Sequence, residues 1–92
     1  MQTSPALTSE QIYERLRAIA VERLSLTPEQ IASMSPDLPL VEGLQLDSLA
    51  QVTLIAALED EFGIVMEIED RQRVTTIRDL VTLIRERSSV TT

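Results

Sequence analysis

Apolar residues recur every three or four positions in three separate stretches of this chain, and nowhere do they alternate strictly with polar residues. Such spacing places the apolar side chains of each stretch on one face of an α-helix, whereas alternation would indicate a strand. Capping residues or a glycine stand at several of the ends of these stretches. The sequence therefore predicts an all-α fold, a small antiparallel bundle of three long helices and one short helix.

The first long helix is predicted over residues 9–24, behind Thr8, which has capping-box spacing with Gln11. Its expected buried stripe is Ile12, Leu16, Ile19 and Ala20. The side chains expected to lie away from this stripe are Tyr13, Arg15 and Arg17.

The second long helix is predicted to begin at Asp47-Ser48, to run to Phe62 and to end at Gly63, a favourable residue just past a helix C-terminus. Ser48 and Gln51 also have capping-box spacing. The expected buried stripe is Leu54, Leu58 and Phe62, widened by Leu49, Val52 and Ile55.

A short helix is predicted over residues 67–73, and Thr75-Thr76 opens the last long helix, with Asp79 as the reciprocal cap of Thr76. Its expected stripe is Ile77, Leu80, Val81 and Ile84. The domain should cover residues 8–87, between a flexible leader, 1–7, and a flexible tail, 88–92.

A long loop is predicted between the first and second long helices, with one helical turn near Thr27-Pro28. Seven apolar residues should anchor this loop across the helix ends. They are Ile31, Met34, Leu38, Leu40, Val41, Leu44 and Leu46. A loop anchored in this way in so small a domain indicates that it carries function.

The chain contains no His, Cys or Lys, which removes most catalytic chemistry. Without His or Cys there is no Ser-His or Cys-His nucleophile, no zinc site and no disulfide. Without Lys there is no Schiff base and no P-loop lysine. Carboxylates and arginines could still take part in acid–base or phosphate chemistry, but an enzyme is the least expected class, and we expect a non-catalytic protein without a metal site.

The formal net charge of −7 disfavours binding to nucleic acid or to anionic membrane surfaces. Residues 1–7 lack the basic and apolar regions of a signal peptide. We expect a cytoplasmic monomer.

The excess charge is concentrated in residues 28–70, which hold ten acidic residues and no basic one. One interpretation is a solvated surface that keeps the protein soluble. The other is a docking surface for basic partners, which the acidic run at residues 59–61 favours, because negative charge is disfavoured at a helix C-terminus.

Asp47-Ser48 is the chemical focus of the chain, and it has two interpretations. Asp and Ser are favoured helix caps, because their oxygens accept hydrogen bonds from unpaired N–H groups. A helix N-terminus is also a favourable place for a phosphate group attached to a serine. Ser48 has no base beside it other than carboxylates, so it is typical of a substrate for another enzyme rather than of a nucleophile.

The run Gly43-Leu44-Gln45-Leu46-Asp47-Ser48-Leu49 resembles the modification motif of acyl carrier proteins, whose core is Asp-Ser-Leu. The resemblance continues through residues 58–64, Leu-Glu-Asp-Glu-Phe-Gly-Ile, and residues 75–81, Thr-Thr-Ile-Arg-Asp-Leu-Val. It covers roughly residues 12–84, and the order and spacing of the three runs make it specific.

The resemblance implies a bundle of three long helices and one short one. It implies that a phosphopantetheinyl transferase uses coenzyme A to attach 4′-phosphopantetheine to Ser48, flanked by Asp47 and Leu49. The thiol of this arm would carry acyl groups as thioesters, and partners would include acyltransferases, synthases and other acyl-processing enzymes with basic docking patches. The residues expected to dock partners are Glu42, Leu49, Val52, Glu59, Asp60 and Glu61.

Five positions depart from the pattern of fatty-acid carriers. Ala50 and Thr53 stand where acidic docking residues are frequent, Gln45 and Glu67 replace a common glycine and a common proline, and Arg71 stands where a small residue is usual. These departures favour a dedicated, freestanding carrier of a polyketide or other specialised pathway.

Two alternatives stay open. One is a freestanding aminoacyl or peptidyl carrier, although Leu46-Asp47 before the serine favours an acyl carrier. The other is an unmodified acidic helical interaction domain in which Ser48 is only a cap. For a carrier, the small aliphatic core predicts that a chain enters only by separating the helices, so short or polar cargo should stay in solvent.

Overall fold

The structure is a computed structural model, and it describes residues 7–88. These residues form six helices: α1 (Ser9–Glu22), α2 (Pro28–Ala32), α3 (Leu40–Gly43), α4 (Ser48–Phe62), α5 (Ile68–Arg73) and α6 (Ile77–Ser88). Within the described range there is no strand, only an isolated bridge between Pro39 and Thr76. The all-α class and the three long helices, α1, α4 and α6, are confirmed, but there are three short helices rather than one.

Helix α1 begins behind Thr8 with the predicted capping box, in which the Thr8 hydroxyl accepts from the N–H of Gln11 at 3.1 Å. The helix ends at Glu22, two residues earlier than predicted. The reason is Ser25, whose φ of 56° turns the chain out of the helix. Arg85 of α6 donates to the Ser9 hydroxyl at 3.4 Å, so the end of α6 lies beside the start of α1 and the two helices run in opposite directions.

A single apolar cluster holds the long helices together, and its largest fully buried side chains are Ile12, Leu58, Ile77, Leu80 and Ile84. The predicted stripes of α1 and α6 are buried as expected. Leu7, which the sequence assigns to the leader, packs against this cluster. Residues 1–6 and 89–92 lie outside the described residues, so the leader and the tail stay predictions.

Tyr13 does not lie away from the stripe as predicted, because its ring packs against the core. Its hydroxyl is buried and has no hydrogen-bond partner among residues 7–88. Burial raises the pKa of this phenol, and the nearby Arg17, 5.0 Å from the ring centroid, lowers it by less.

The stripe predicted for α4 is too wide. Leu54 and Leu58 are buried and Phe62 is half-buried, but Leu49 is 74% exposed and Val52 is 63% exposed. At 3.6 residues per turn, Leu49 and Val52 lie on the side of the helix opposite Leu54. A helix that packs on one face cannot bury both sides, so these two residues face solvent.

The loop between α1 and α4 is anchored as expected, since Met34, Leu44 and Leu46 are buried. Its backbone also pairs with the start of α6: the N–H of Leu40 donates to Thr75 at 2.8 Å, and the N–H of Ile77 donates to Leu38 at 3.0 Å. The prediction fails for Val41, which is 40% exposed. The loop is thus fixed at both sides of the short helix α3, immediately before Ser48.

Within residues 7–88, none of the helices combines the length and the apolar character needed to cross a membrane.

Candidate functional site

Ser48 is the first residue of α4, and it is exposed. The cap of the helix is Asp47, whose carboxylate accepts from the N–H of Ala50 at 2.8 Å. The Ser48 hydroxyl has no hydrogen-bond partner within residues 7–88. The interpretation of Ser48 as a cap is therefore wrong, and its oxygen is free for chemistry.

The first turn of α4 offers two further free donors. The N–H groups of Ser48 and Leu49 donate to no acceptor in the described part of the chain, as expected for the first positions of a helix. These donors and the helix dipole favour an anion next to the Ser48 oxygen. A phosphate ester on this oxygen fits the site, because Asp47 alone already caps the helix.

Three glutamines shape the approach to Ser48, and sequence reasoning assigned none of these roles. Gln30 of α2 donates to the carbonyl of Leu44 at 3.2 Å, and Gln51 donates to the carbonyl of Leu46 at 3.1 Å. The predicted capping box of Ser48 and Gln51 is therefore absent. Gln45, between the two buried leucines, has a φ of 56°. The replacement of a common glycine at this position was the signal that could have revealed the left-handed backbone.

Exposed apolar side chains lie near Ser48 in the sequence of α4. Leu49 and Val52 project from the first turns, and Val41 of α3 is partly exposed nearby in the chain. Glu42 of α3 is exposed as well. The predicted docking residues Glu42, Leu49 and Val52 are thus all exposed, and their docking role stays a prediction.

The acidic run at the end of α4 has structural partners. The carboxylate of Glu59 accepts from the N–H of Met66 at 3.0 Å, Asp60 pairs with Arg23 at 3.5 Å, and Glu61 pairs with Arg15 at 3.5 Å. Each of the three acids thus has a partner within the chain, although both ion pairs are exposed and therefore weak. A docking role for these acids stays a prediction, and Asp60 and Glu61 are exposed.

Asp70, the last acid of the stretch, is buried and does not belong to a surface. Its carboxylate accepts from the N–H of Glu67 at 2.9 Å and from the guanidinium of Arg87 at 2.6 Å. The hydrogen bond from Glu67 and then that from Arg87 hold the pKa of Asp70 below its usual range. The pair joins α5 to the end of α6.

A cavity of about 90 Å³ lies between α3, α4 and α5. Gln51, Leu54, Ile55 and Leu58 form its α4 wall, and Met66 and Arg71 contribute from α5 and the residues before it. The sequence led us to expect no such space without separation of the helices. Its walls come from segments that are distant along the chain, which local sequence patterns do not reveal.

No group of three or more acidic side chains within residues 7–88 is arranged to hold a metal ion. The carboxylate nearest in sequence to Ser48, that of Asp47, already accepts from Ala50. The site therefore presents a hydroxyl without activating it, and this suits modification by another protein.

The sequence model of the family described as "Phosphopantetheine attachment site" matches residues 14–84 of this chain, which include Ser48. The chain belongs to the acyl carrier protein family. Among curated relatives, the acyl carrier protein of Thermosynechococcus vestitus is 33% identical over 81 residues, which cover 88% of this chain and 96% of the relative. That of Campylobacter hominis is 35% identical over 74 residues, 80% of this chain and 90% of the relative.

The fold agrees with this family. The solution structure of an Anaplasma phagocytophilum protein, described as an acyl carrier protein, superimposes with a TM-score of 0.76 at 30% identity, over 90% of this chain and 94% of that chain. Membership implies a covalently attached 4′-phosphopantetheine. The exposed hydroxyl and the free N–H groups at the start of α4 fit such a group.

Proposed function

We propose that Ser48 is the attachment point of 4′-phosphopantetheine and that this protein carries acyl intermediates as thioesters on that arm. The observation that carries the proposal is the Ser48 hydroxyl, which is exposed, free of hydrogen bonds within residues 7–88 and not needed as a cap. Asp47 and Leu49 flank it and complete the motif. The proposal explains how a chain without cysteine takes part in thioester chemistry.

Attachment requires a partner enzyme, a phosphopantetheinyl transferase, because no described side chain activates Ser48. The serine oxygen forms a bond to the phosphorus that carries pantetheine in coenzyme A, the pyrophosphate bond of coenzyme A breaks, and adenosine bisphosphate leaves. The hydroxyl proton passes to a base of the transferase. This chain contributes the exposed oxygen, the free N–H groups of Ser48 and Leu49, and the dipole of α4.

The test is the intact mass of the protein after incubation with coenzyme A and a transferase of broad specificity. We expect the gain of one phosphopantetheinyl group, and no gain for Ser48→Ala. The matched control is Ser35→Ala, which removes another exposed serine and should be modified like the wild type. No gain in the wild type, or a gain that survives Ser48→Ala, would show that the domain is not a carrier through this serine.

We propose further that the carrier serves a polyketide or other specialised pathway. The support is the outer face of α4 near Ser48, where Leu49 and Val52 are exposed and Ala50 and Thr53 are uncharged. An enzyme that recognises acidic groups at those two positions would lose both ion pairs here. Enzymes with an apolar contact surface would lose nothing.

A side-by-side assay with fatty-acid synthase components tests the pathway proposal. We expect slower loading and turnover of this protein than of the synthase's own carrier, and a gain when Ala50→Glu and Thr53→Glu are combined. Equal turnover of the unchanged protein would contradict the proposal. Preferential loading by an adenylating enzyme from a panel, rather than by an acyltransferase, would instead identify an aminoacyl carrier.

A further inference from the structure

The cavity beside α4 contains one charged side chain among aliphatic ones, that of Arg71 on α5. Arg71 lines the cavity and is nevertheless exposed. A guanidinium is strongly disfavoured in an apolar space without a partner, whereas its aliphatic stem packs well there. This combination is expected when the stem packs along a cavity wall and the charged end stays in water.

Arg71 stands apart from the other arginines because it has no partner. Six of the eight arginines contact a carboxylate, a hydroxyl or an aromatic ring. The charge of Arg73, two residues after Arg71, helps to lower the pKa of Asp70. Arg71 forms no ion pair and no side-chain hydrogen bond within residues 7–88. Its guanidinium is therefore not engaged by a side chain of the described residues.

The cavity is close to Ser48 along the chain. Leu46, two residues before Ser48, and Gln51, in the first turn after it, both line the cavity. The α4 wall continues to Leu58, and seven residues of helix rise about 10 Å. A chain tethered at Ser48 and folded back along α4 would therefore reach a cavity lined by apolar side chains and by Arg71.

We propose that Arg71 is a specificity-determining residue that selects acyl groups ending in a carboxylate, such as thioesters of dicarboxylic acids. The methylene carbons of such a group contact the aliphatic wall, and its terminal carboxylate pairs with the guanidinium, which suits two-pronged hydrogen bonding. A saturated acyl chain of equal length leaves the guanidinium without a counter-ion and displaces part of the water that hydrates it. This inference rests on the proposed attachment at Ser48 and names the cargo class of that site.

The test compares the holo protein, made from coenzyme A, with the same protein carrying a hexanoyl or an adipoyl group, which differ by a terminal carboxylate. The readouts are the NMR signals of the Arg71 guanidinium and of the Leu54 and Ile55 methyl groups, and the rate of thioester hydrolysis. We expect adipoyl to shift these signals more than hexanoyl, and its thioester to hydrolyse about fivefold more slowly. Arg71→Gln should abolish this difference, and Arg71→Lys should retain part of it.

The matched control is Arg73→Gln, which removes an exposed charge from the same helix but not from the cavity. It should leave the preference for adipoyl intact. Equal behaviour of the two acyl groups in the wild type would overturn the inference, as would a preference that survives Arg71→Gln. A guanidinium signal already fully shifted in the unacylated holo protein would assign Arg71 to the phosphate of the arm and also overturn it. If Ser48 accepts no arm, the mass measurement reveals this beforehand, and it is the proposed function that fails.

Discussion

At the scale of single residues, the approach to Ser48 depends on a left-handed backbone conformation at Gln45, which a residue with a side chain does not favour. Gln45 has a φ of 56°, a region in which the Cβ of an L-residue crowds the following carbonyl. Leu44 and Leu46 on either side are buried, and they hold the turn in place. Packing of the neighbours thus compensates for local strain at Gln45.

Gln45→Gly should stabilise the protein by about 0.5 to 1 kcal/mol, because the relief of the left-handed strain exceeds the entropy that a glycine loses on folding. The midpoint of urea denaturation measures the change. Gln45→Ala serves as the control and should stay near the wild type, since alanine meets the same strain. A lower midpoint for Gln45→Gly would show that the turn is not strained.

Asp47 and Ser48 are adjacent but have different roles. Asp47 caps the helix, and Ser48 is the residue that we propose is modified. Asp47→Ala should cost about 1 kcal/mol of stability, because the N–H of Ala50 loses its acceptor. Ser48→Ala should change stability by less than about 0.5 kcal/mol, because its hydroxyl is exposed and unpaired within residues 7–88. Thermal unfolding of both unmodified variants checks this, and a larger loss for Ser48→Ala would restore the cap interpretation.

At the scale of elements, periodicity and capping residues were sufficient to predict the long helices. They predicted the capping box of Thr8 and the reciprocal cap of Thr76 and Asp79, whose side chains and N–H groups exchange hydrogen bonds at 3.1 and 3.2 Å. They could not predict α3, because it has four residues and is held by pairing of Leu40 with Thr75, far along the chain. The motif identified Ser48 because a motif is a pattern of residues close together in sequence. It missed Gln30 because this residue reaches the site only through the tertiary fold.

Helix α5 is held by one buried carboxylate, and this makes its attachment sensitive to acid. The pKa of Asp70 is lowered in the folded protein, first by the N–H of Glu67 and then by Arg87, so the unfolded chain binds the proton more tightly. The stabilisation is complete above the ordinary aspartate pKa of about 4 and disappears as the pH falls through the lower folded value. Asp79 adds to the same trend, because Thr76 and Thr75 donate to it.

We expect the unfolding temperature of the wild type to fall steeply below about pH 4, and that of Asp70→Asn to be lower at pH 7 but to fall less in acid. Calorimetry at a series of pH values measures both slopes. Arg87→Gln should also reduce the slope, because it removes the second cause of the shift. Parallel curves for the wild type and Asp70→Asn would contradict this assignment.

At the scale of the whole molecule, the fold removes only part of the acidic stretch from the surface. Asp70 is buried, and Glu59, Asp60 and Glu61 contact groups of the same chain. The composition correctly gave the total charge, but only the tertiary structure shows which carboxylates are engaged. Beside Ser48, the exposed apolar pair Leu49 and Val52 is accompanied by the exposed Asp47.

Docking of the transferase should therefore depend more on Val52 than on Asp60. We expect Val52→Ser to lower kcat/KM for modification by about tenfold, and Asp60→Asn by less than about threefold, because exposed charge pairs are weak and screened. Neither exposed position should change stability by more than about 0.5 kcal/mol. The reverse order of effects would instead favour docking through the acidic residues at the end of α4.

The most direct test of the account is the intact and fragment mass of the protein isolated from its native host. The account predicts a phosphopantetheinyl group on the peptide that contains Ser48, with or without an acyl thioester whose mass identifies the cargo. An unmodified protein in cells whose other carrier proteins are modified, or a group attached to another residue, would contradict it.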